Sequence, residues 1–177
     1  MKLFIGCASS NDIPEFYLED CKILIDKLLK EYDLVYGAYN EGLMGICYES
    51  AKRNNNMVYG KCVRVDEEYL SNIDCESKEV FDTIMDRTKG LLYESDAVVI
   101  LPGGIGTINE LFASIDSKRT GLLNKPIIIY NSHHYYDELL VFLDKLYKEK
   151  FSSADIKKTY YVTDDKEKVL SLLKKGI

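Results

Sequence analysis

The segment LPGGIGTINE, residues Leu101–Glu110, places a glycine-rich turn between an apolar strand and a helix that we expect to open with Thr107. The strand, AVVIL at Ala97–Leu101, is continuously apolar and rich in β-branched residues, which is typical of a strand buried on both faces. Glycines have no Cβ, so this turn can bring unpaired backbone N–H groups close to an anion at the positive end of the helix. The segment therefore predicts a strand, a turn and a helix that together bind a phosphate.

The spacing of these glycines matches neither the dinucleotide fingerprint GxGxxG nor the Walker pattern GxxxxGK[ST], and no lysine follows them. This disfavours hydride transfer and nucleoside triphosphate hydrolysis. Two interpretations stay open, a phosphate-binding turn and a turn that only lets a helix pack closely on a sheet. Glu110 lies in the predicted first turn of the helix, where a carboxylate repels a phosphate, so it indicates a role other than phosphate binding.

Apolar segments with the periods of strands and helices alternate along the whole chain. The predicted strands are 2–6, 33–36, 57–65, 97–101, 127–130 and 160–163. The predicted helices are 14–29, 43–53, 77–94, 107–121, 136–148 and 165–173. The apolar face of the first helix is predicted to contain Phe16, Leu18, Cys21, Ile23, Leu24, Leu28 and Leu29. This alternation predicts an α/β fold, a single-domain Rossmann-like doubly wound parallel sheet with helices on both faces and ligands at the carboxyl ends of the strands.

Length and composition limit the possible classes of protein. The 177 residues, 46% of them apolar, suffice for one domain spanning residues 1–177. The net charge of −6 argues against nucleic acid or an anionic membrane as a partner, since both are bound by clustered Lys and Arg. No apolar run approaches the ~20 residues of a membrane span, and the opening MKLFIGC is interpreted as a first strand and not as a signal.

The five cysteines are widely spread without a CxxC pair, which indicates reduced, mostly buried thiols and a cytoplasmic protein. The two histidines, His133 and His134, are adjacent, so we expect solvated loop residues and no metal site. Nucleophilic catalysis by serine or cysteine usually recruits a histidine base, so carboxylates and arginine are expected to carry any chemistry.

Two further strand ends are expected to reach the same edge of the sheet as the glycine turn. In GCASSN, Ser9 and Ser10 can either bond a phosphate or satisfy backbone groups before the helix. In YGAYNEGLMG, Gly42 and Gly45 either permit the close approach of a flat ligand or only allow entry into a helix. These alternatives stay open at the level of sequence.

At the glycine turn the chain also resembles a known family. PGGIGTINE, residues 102–110, fits all nine positions of Pro-Gly-Gly-x-Gly-Thr-x-x-Glu, the signature of the Lonely-guy nucleotide phosphoribohydrolases, once widely labelled lysine decarboxylases. GCASSND, LVYGAYNEGLMG, YYDELLVFLDK and YVTDDKEKVLSLL resemble other segments of that family, so the resemblance covers almost the whole chain.

The resemblance implies hydrolysis of the N-glycosidic bond of a purine nucleoside 5′-monophosphate, cytokinin-type or AMP-like, by a homodimer without a cofactor. It implies that Glu110 orients or deprotonates water and that Arg87 is an electrostatic clamp. The implied substrate-binding and phosphate-binding residues are Gly103, Gly104, Ile105, Gly106, Thr107, Ser9, Ser10, Gly42, Met44, Gly45 and Thr88. A decarboxylase dependent on pyridoxal phosphate is disfavoured, since no lysine follows the turn to form a Schiff base.

The sequence departs from the family pattern at several positions, including Ile84 in place of methionine and Asp116 and Ser117 in place of the Thr-Trp of plant-like members. Arg87 aligns with the arginine of the family's Met-x-x-Arg-Lys helix, but Thr88 stands where the family has lysine, and Lys89 could substitute by a small rotation. Ala38 and Tyr39 replace two glycines, which is expected to narrow the base site. These departures keep open a second interpretation, a nucleotide or molybdenum-cofactor carrier that needs the glycine turn but not Glu110, and a weaker third, a structural dimer.

Overall fold

The computed structural model describes residues 1–152 and 156–175. Within these ranges seven strands alternate with seven α-helices, except that short 3-10 turns interrupt the pattern. The strands are β1 (Lys2–Gly6), β2 (Asp33–Tyr36), β3 (Val58–Val63), β4 (Ser77–Phe81), β5 (Ala97–Ile100), β6 (Ile127–Tyr130) and β7 (Tyr161–Thr163). The helices are α1 (Glu15–Leu28), α2 (Gly42–Arg53), α3 (Glu67–Ser71), α4 (Ile84–Glu94), α5 (Ile105–Arg119), α6 (Asp137–Lys148) and α7 (Lys166–Lys174).

All the strands join one parallel sheet in the order β4-β3-β2-β1-β5-β6-β7. The order reverses between β1 and β5, which lie side by side with Gly6 opposite Ile100. In open α/β sheets a ligand binds at such a reversal, outside the carboxyl ends of the strands. The prediction of a doubly wound parallel sheet is confirmed, and the candidate crevice lies at the ends of β1 and β5.

Alternation along the strands divides the core into two parts. In β1, Leu3 and Ile5 belong to the core on one face of the sheet, whereas Phe4 belongs to the core on the other. The first core is closed by α1, α2 and α7, and the second by α4, α5 and α6. β5 and β6 are buried along their whole length, as their β-branched runs predict.

One predicted helix is wrong. Residues 77–94 form two elements, the strand β4 and the helix α4, separated by a turn in which the Thr83 hydroxyl caps Asp86 N–H at 3.1 Å. β4 pairs along five residues of β3 at the edge of the sheet, where Ser77–Phe81 is only partly buried. Such an edge strand needs few apolar residues, so its hydrophobic pattern is weak. The sequence also gave no prediction of the short helix α3.

The predicted apolar face of α1 needs one correction. Phe16 and Ile23 are exposed, and Ile25 is fully buried although it was absent from the prediction. Cys21, Ile25 and Leu28 follow the four- and three-residue steps that place side chains on one face of a helix. β3 is also shorter than predicted, because the chain passes at Arg64 into a 3-10 turn.

Candidate functional site

Three segments are hydrogen-bonded to one another at the carboxyl edge of the sheet, as the sequence predicted. Ala8 N–H donates to the Pro102 carbonyl at 3.1 Å, and Met44 N–H donates to the Ala8 carbonyl at 3.1 Å. Gly42 N–H donates to Asn11 Oδ1 at 2.8 Å. The loop after β1 therefore holds the glycine turn on one side and the start of α2 on the other.

Gly42 and Gly45 have structural reasons for being glycine. Gly42 has a φ of +57°, and a Cβ there would lie 2.5 Å from the Ser10 carbonyl oxygen. A Cβ on Gly45 would lie 2.6 Å from the Asn40 carbonyl oxygen. The close approach that both glycines permit is thus made by the chain's own backbone, which favours the helix-entry interpretation. Met44 is buried beside them, and a ligand contact of all three stays a prediction.

The glycine turn leads into α5 two residues earlier than predicted, at Ile105, with Gly104 in extended conformation as its N-cap. A Cβ on Gly103 would lie 2.2 Å from Thr107 Oγ1, so close packing requires glycine there. A Cβ on Gly104 or Gly106 would meet no described atom within 4 Å. The fold gives no reason for these two glycines, and they leave free space beside the first amides of α5, which have no intrahelical acceptor.

Thr107 is buried, and its hydroxyl donates to the Cys7 carbonyl at 3.1 Å. The hydroxyl proton that was predicted to hold a phosphate is therefore used to join α5 to the end of β1. Backbone amides, not this hydroxyl, supply the donors that an anion meets at the start of α5.

Substituting the first two glycines by alanine is expected to give opposite results. Gly103→Ala collides with Thr107 and is expected to cost roughly 1–3 kcal/mol of folding free energy. Gly104→Ala leaves the melting temperature unchanged but weakens phosphate binding by about 10-fold, or ~1.4 kcal/mol. Thermal melts and calorimetric titration with inorganic phosphate measure the two effects. Unchanged phosphate affinity of Gly104→Ala would assign the turn to packing alone.

A cavity of about 270 Å³ lies beside the turn at the start of α1. It is lined by Ala8, Ser9, Ser10, Ile13, Pro14, Tyr17, Pro102, Gly103, Gly104 and Tyr135. The structure thus brings together both predicted serines and the first glycines of the turn. Ser10 Oγ also accepts a hydrogen bond from Asp12 N–H at 3.1 Å, which is the local capping role that the sequence left open.

Arg87 and Glu110 form an ion pair at the ends of β1 and β2. Arg87 Nη2 lies 3.2 Å from Glu110 Oε1, and the two side chains are 12% and 2% exposed. Arg87 Nε donates to the Lys61 carbonyl at 3.2 Å, which fixes the guanidinium. A Cβ on Gly37 would lie 2.3 Å from Arg87 Nη2, and one on Gly6 would lie 3.1 Å from Glu110 Oε2. The sequence did not predict that these two glycines give the ion pair its space.

Glu110 is the sixth residue of α5 and lies in its second turn, not in the first as predicted. It is buried against the end of β1 and does not line the cavity beside the turn. Oε2 has no hydrogen-bond partner among the described residues. Burial raises the pKa of Glu110 to about 7, although the Arg87 charge acts in the opposite direction. An unsatisfied carboxylate with such a pKa is typical of a functional group, and it can serve a ligand only where the crevice admits one to Oε2.

The raised pKa predicts a dependence of stability on pH. Between the ordinary value of 4.5 and about 7, the folded protein keeps a proton on Glu110 that the unfolded chain releases. The free energy of unfolding therefore falls as pH rises through this window, by an amount on the order of 3 kcal/mol. Urea unfolding of wild type and Glu110→Gln from pH 4 to pH 8 measures it. As pH rises, the free energy of unfolding of Glu110→Gln should increase relative to that of the wild type. A difference between the two that does not change with pH would contradict the burial effect.

Thr88 and Lys89, adjacent on α4, differ in burial. Thr88 is buried, and its hydroxyl accepts a hydrogen bond from Asn109 Nδ2 at 3.3 Å. Lys89 is exposed with its ammonium 5.8 Å from the centroid of the Tyr93 ring. That Lys89 substitutes for the family's lysine by a small rotation stays a prediction.

Ala38 has a backbone conformation that favours glycine. Its φ of +63° is left-handed and it is fully buried. Tyr39 is half-buried, with its ring centroid 4.9 Å from that of Tyr69. Burial and a hydrogen bond to Asp66 raise the pKa of Tyr39, while the nearby Arg87 charge lowers it. Tyr39 is thus close enough to Arg87 to feel its charge, and the narrowing of a base site by Tyr39 stays a prediction.

All five cysteines lie in the first 152 residues and are free thiols, four of them buried. Both histidines are exposed in the turn after β6, as predicted. In residues 1–152 and 156–175, no three Cys, His, Asp or Glu side chains converge to hold a metal ion. The same part of the chain contains no helix of the length and apolarity that a membrane span requires.

The chain is similar in sequence to known proteins. The family described as "Possible lysine decarboxylase" matches residues 44–173. "Probable cytokinin riboside 5'-monophosphate phosphoribohydrolase LOG6" of Arabidopsis thaliana is 35% identical over 152 residues, 83% of this chain and 74% of the relative. The similarly named LOGL6 of Oryza sativa subsp. japonica is 32% identical over 156 residues, 86% of this chain and 62% of the relative. The chain is thus shorter than these relatives.

Solved structures share the fold. The molybdenum cofactor binding protein from Rippkaea orientalis superposes with a TM-score of 0.72 at 18% identity, covering 98% of this chain and 95% of the other. The molybdenum cofactor carrier protein from Chlamydomonas reinhardtii has a TM-score of 0.71 at 16% identity, covering 98% and 96%. At such low identity the likeness establishes the α/β architecture alone.

Proposed function

Since the chain belongs to the Lonely-guy family, described as possible lysine decarboxylases, we propose that it hydrolyses the N-glycosidic bond of a purine nucleoside 5′-monophosphate. The products are the free base and ribose 5-phosphate. The observation that carries the proposal is the buried ion pair of Arg87 and Glu110. Glu110 Oε2 has no partner in residues 1–152 and 156–175, and Glu110 lies on the helix that follows the open glycine turn. The free amides of such a turn can bind a phosphate, and the carboxylate can act on the ribose to which that phosphate is attached.

The ion pair suits the chemistry of this bond. As the bond between C1′ and the base breaks, its electron pair leaves with the base and positive charge grows on the ribose. Glu110 stabilises this charge and takes a proton from the water whose oxygen attacks C1′, while the base gains a proton from solvent. Arg87 is protonated at any working pH, so it acts as a fixed charge that favours the ionised form of Glu110 and not as an acid.

The phosphate is held by local donors, since the net charge of −6 gives no general attraction for anions. The amides from Gly103 to Thr107, including that of exposed Ile105, face the anion, and Ser9 and Ser10 border it from the loop after β1. Anchoring the phosphate positions the sugar for attack, which contributes to the rate through reduced entropy.

The choice of base rests on the residues that depart from the family. Tyr39, half-buried near the Arg87 charge, replaces a glycine of the family, and Thr88 replaces its lysine with an uncharged side chain. We therefore propose a purine as the base. The assay below, which includes AMP and isopentenyladenosine monophosphate, determines which N6 substituent is preferred. The five free thiols suit a reducing compartment, so we place the protein in the cytoplasm.

Incubation of the purified protein with AMP, isopentenyladenosine monophosphate and GMP tests the function, with free base followed by chromatography. Release of base from a monophosphate, but not from the matching nucleoside, supports the proposal. No base release, together with thermal protection by nucleotide, would support a carrier instead. Neither release nor protection would contradict both.

We also propose a homodimer formed through the outer surface of α4 and α5. A groove of about 380 Å³ runs between these helices, next to Thr88 and Asn109. Met85 and Leu122 line it with 83% and 66% of their surface exposed, and Tyr93 lies beside them. Contiguous exposed apolar side chains of this kind mark interaction sites. A second copy placed here lies close to the ion pair, with exposed Asp86 at the boundary.

Met85→Glu is expected to convert the dimer into a monomer, because a charge would be buried in an apolar interface. Light scattering after size exclusion measures the mass, and melting temperature checks the fold. Val141→Glu is the control, since Val141 is also apolar and exposed but lies on α6. A monomeric wild type at assay concentration, or a variant that stays dimeric, would refute this interface.

A further inference from the structure

Two adjacent tyrosines after β6 donate hydrogen bonds to the glycine turn. Tyr136 Oη donates to the Leu101 carbonyl at 2.7 Å, and Tyr135 Oη donates to the Gly103 carbonyl at 2.8 Å. The first bond fixes the end of β5, and the second fixes the peptide unit that precedes α5. The peptide unit between Gly103 and Gly104 is thus held by a side chain from a neighbouring crossover connection, that of Tyr135.

The bond to Gly103 determines the direction of the next amide. In a trans peptide unit the C=O and N–H groups point in opposite directions. When the Gly103 carbonyl faces Tyr135, the Gly104 N–H faces away from it, beside the free space at the start of α5. We propose that Tyr135 is a positioning residue that holds this peptide so that the Gly104 amide binds the substrate's phosphate, which rests on the proposed function.

The surroundings hold Tyr135 in place. Its ring makes edge contacts with the rings of Tyr17 at 5.4 Å and Tyr136 at 4.8 Å. The preceding residues His133 and His134 both have left-handed backbones, with φ of 47° and 61°. Non-glycine residues in this conformation are uncommon. They cluster at functional sites, where the surrounding structure holds the strained backbone in place.

Stability alone does not explain the bond from Tyr135. Tyr136 is 2% exposed, so its hydroxyl would be left unsatisfied without the Leu101 carbonyl. Tyr135 is 37% exposed, and its hydroxyl can bond to water instead. A hydrogen bond that competes with water adds little to folding, whereas its direction decides where the next amide points.

The test compares Tyr135→Phe with Tyr136→Phe, which loses the same group from the neighbouring residue. We expect Tyr135→Phe to weaken ribose 5-phosphate and inorganic phosphate binding by about 3- to 10-fold with little change in melting temperature. Tyr136→Phe should lower the melting temperature and leave the affinity for both ligands within ~2-fold. In turnover, Tyr135→Phe should raise KM for the monophosphate while kcat stays nearly constant, as expected for lost ground-state binding.

The outcomes separate this inference from the hydrolase proposal. Weaker phosphate binding by Tyr135→Phe in a protein that releases no base would support the positioning role and reject the hydrolase. Base release with unchanged KM and phosphate affinity in Tyr135→Phe would reject the positioning role alone. Equal weakening by both variants, or a wild type that binds neither phosphate ligand, would also overturn it.

Discussion

Glu110→Gln is expected to lower kcat by ~10²- to 10⁴-fold, the usual contribution of a general base. Glutamine has the size of glutamate, so it fits the space beside Gly6 that a larger side chain could not enter. It cannot accept a proton from water or oppose the positive charge on the ribose. Chromatographic base release from AMP at saturating substrate measures kcat, and thermal melts verify folding.

Asp116→Asn is the matched control, because Asp116 is an exposed carboxylate on the same helix, paired with Arg119. Its turnover should equal that of the wild type. Wild-type activity should rise as pH increases through about 7, where Glu110 loses its proton. Equal turnover by Glu110→Gln and wild type would show that another group performs the chemistry.

Arg87→Met is expected to produce the second largest loss, ~10²-fold or more at pH 7, since a fixed charge that stabilises an active-site group contributes on this scale. Methionine fills most of the arginine's volume but leaves the Glu110 carboxylate without its cation. The pKa of Glu110 should then rise further, because burial would act unopposed. The carboxyl becomes protonated at neutral pH and cannot act as a base.

The pH profile distinguishes this cause from a structural defect. Part of the activity of Arg87→Met should return as pH rises above 8, with the midpoint of the profile shifted upward. Arg53→Met, which removes an exposed arginine from its pair with Asp26, is the control and should keep the wild-type profile. The double variant with Glu110→Gln should lose less than the product of the single losses, since the two groups act as a unit. Independent losses would separate Arg87 from Glu110.

Strands that are buried on both faces have a strong local signal in the sequence. β5 and β6 need β-branched apolar runs, and these runs are visible without knowledge of the neighbours. β4 lacks such a run, because only one strand pairs with it and its side chains are half exposed. Its existence depends on pairing with β3, which local periodicity does not report.

The site was predictable only in part. The glycine turn follows from local sequence, and the roles of Arg87 and Glu110 were implied by family resemblance, whereas their ion pair was not predicted. Their contact requires α4 and α5 to pack on the same face of the sheet, which no spacing in the sequence encodes. The space supplied by Gly6 and Gly37, and the bond from Tyr135, likewise arise from tertiary position.

The helix α5 carries both the open amides at its start and Glu110 five residues after Ile105. With a rise of 1.5 Å per residue, about 7.5 Å of rigid helix separates the two along its axis. For a nucleoside monophosphate, this helix therefore sets the distance between the bound phosphate and the N-glycosidic bond that is hydrolysed. Isomers that carry the phosphate on another hydroxyl have the wrong length, so the helix itself discriminates among them.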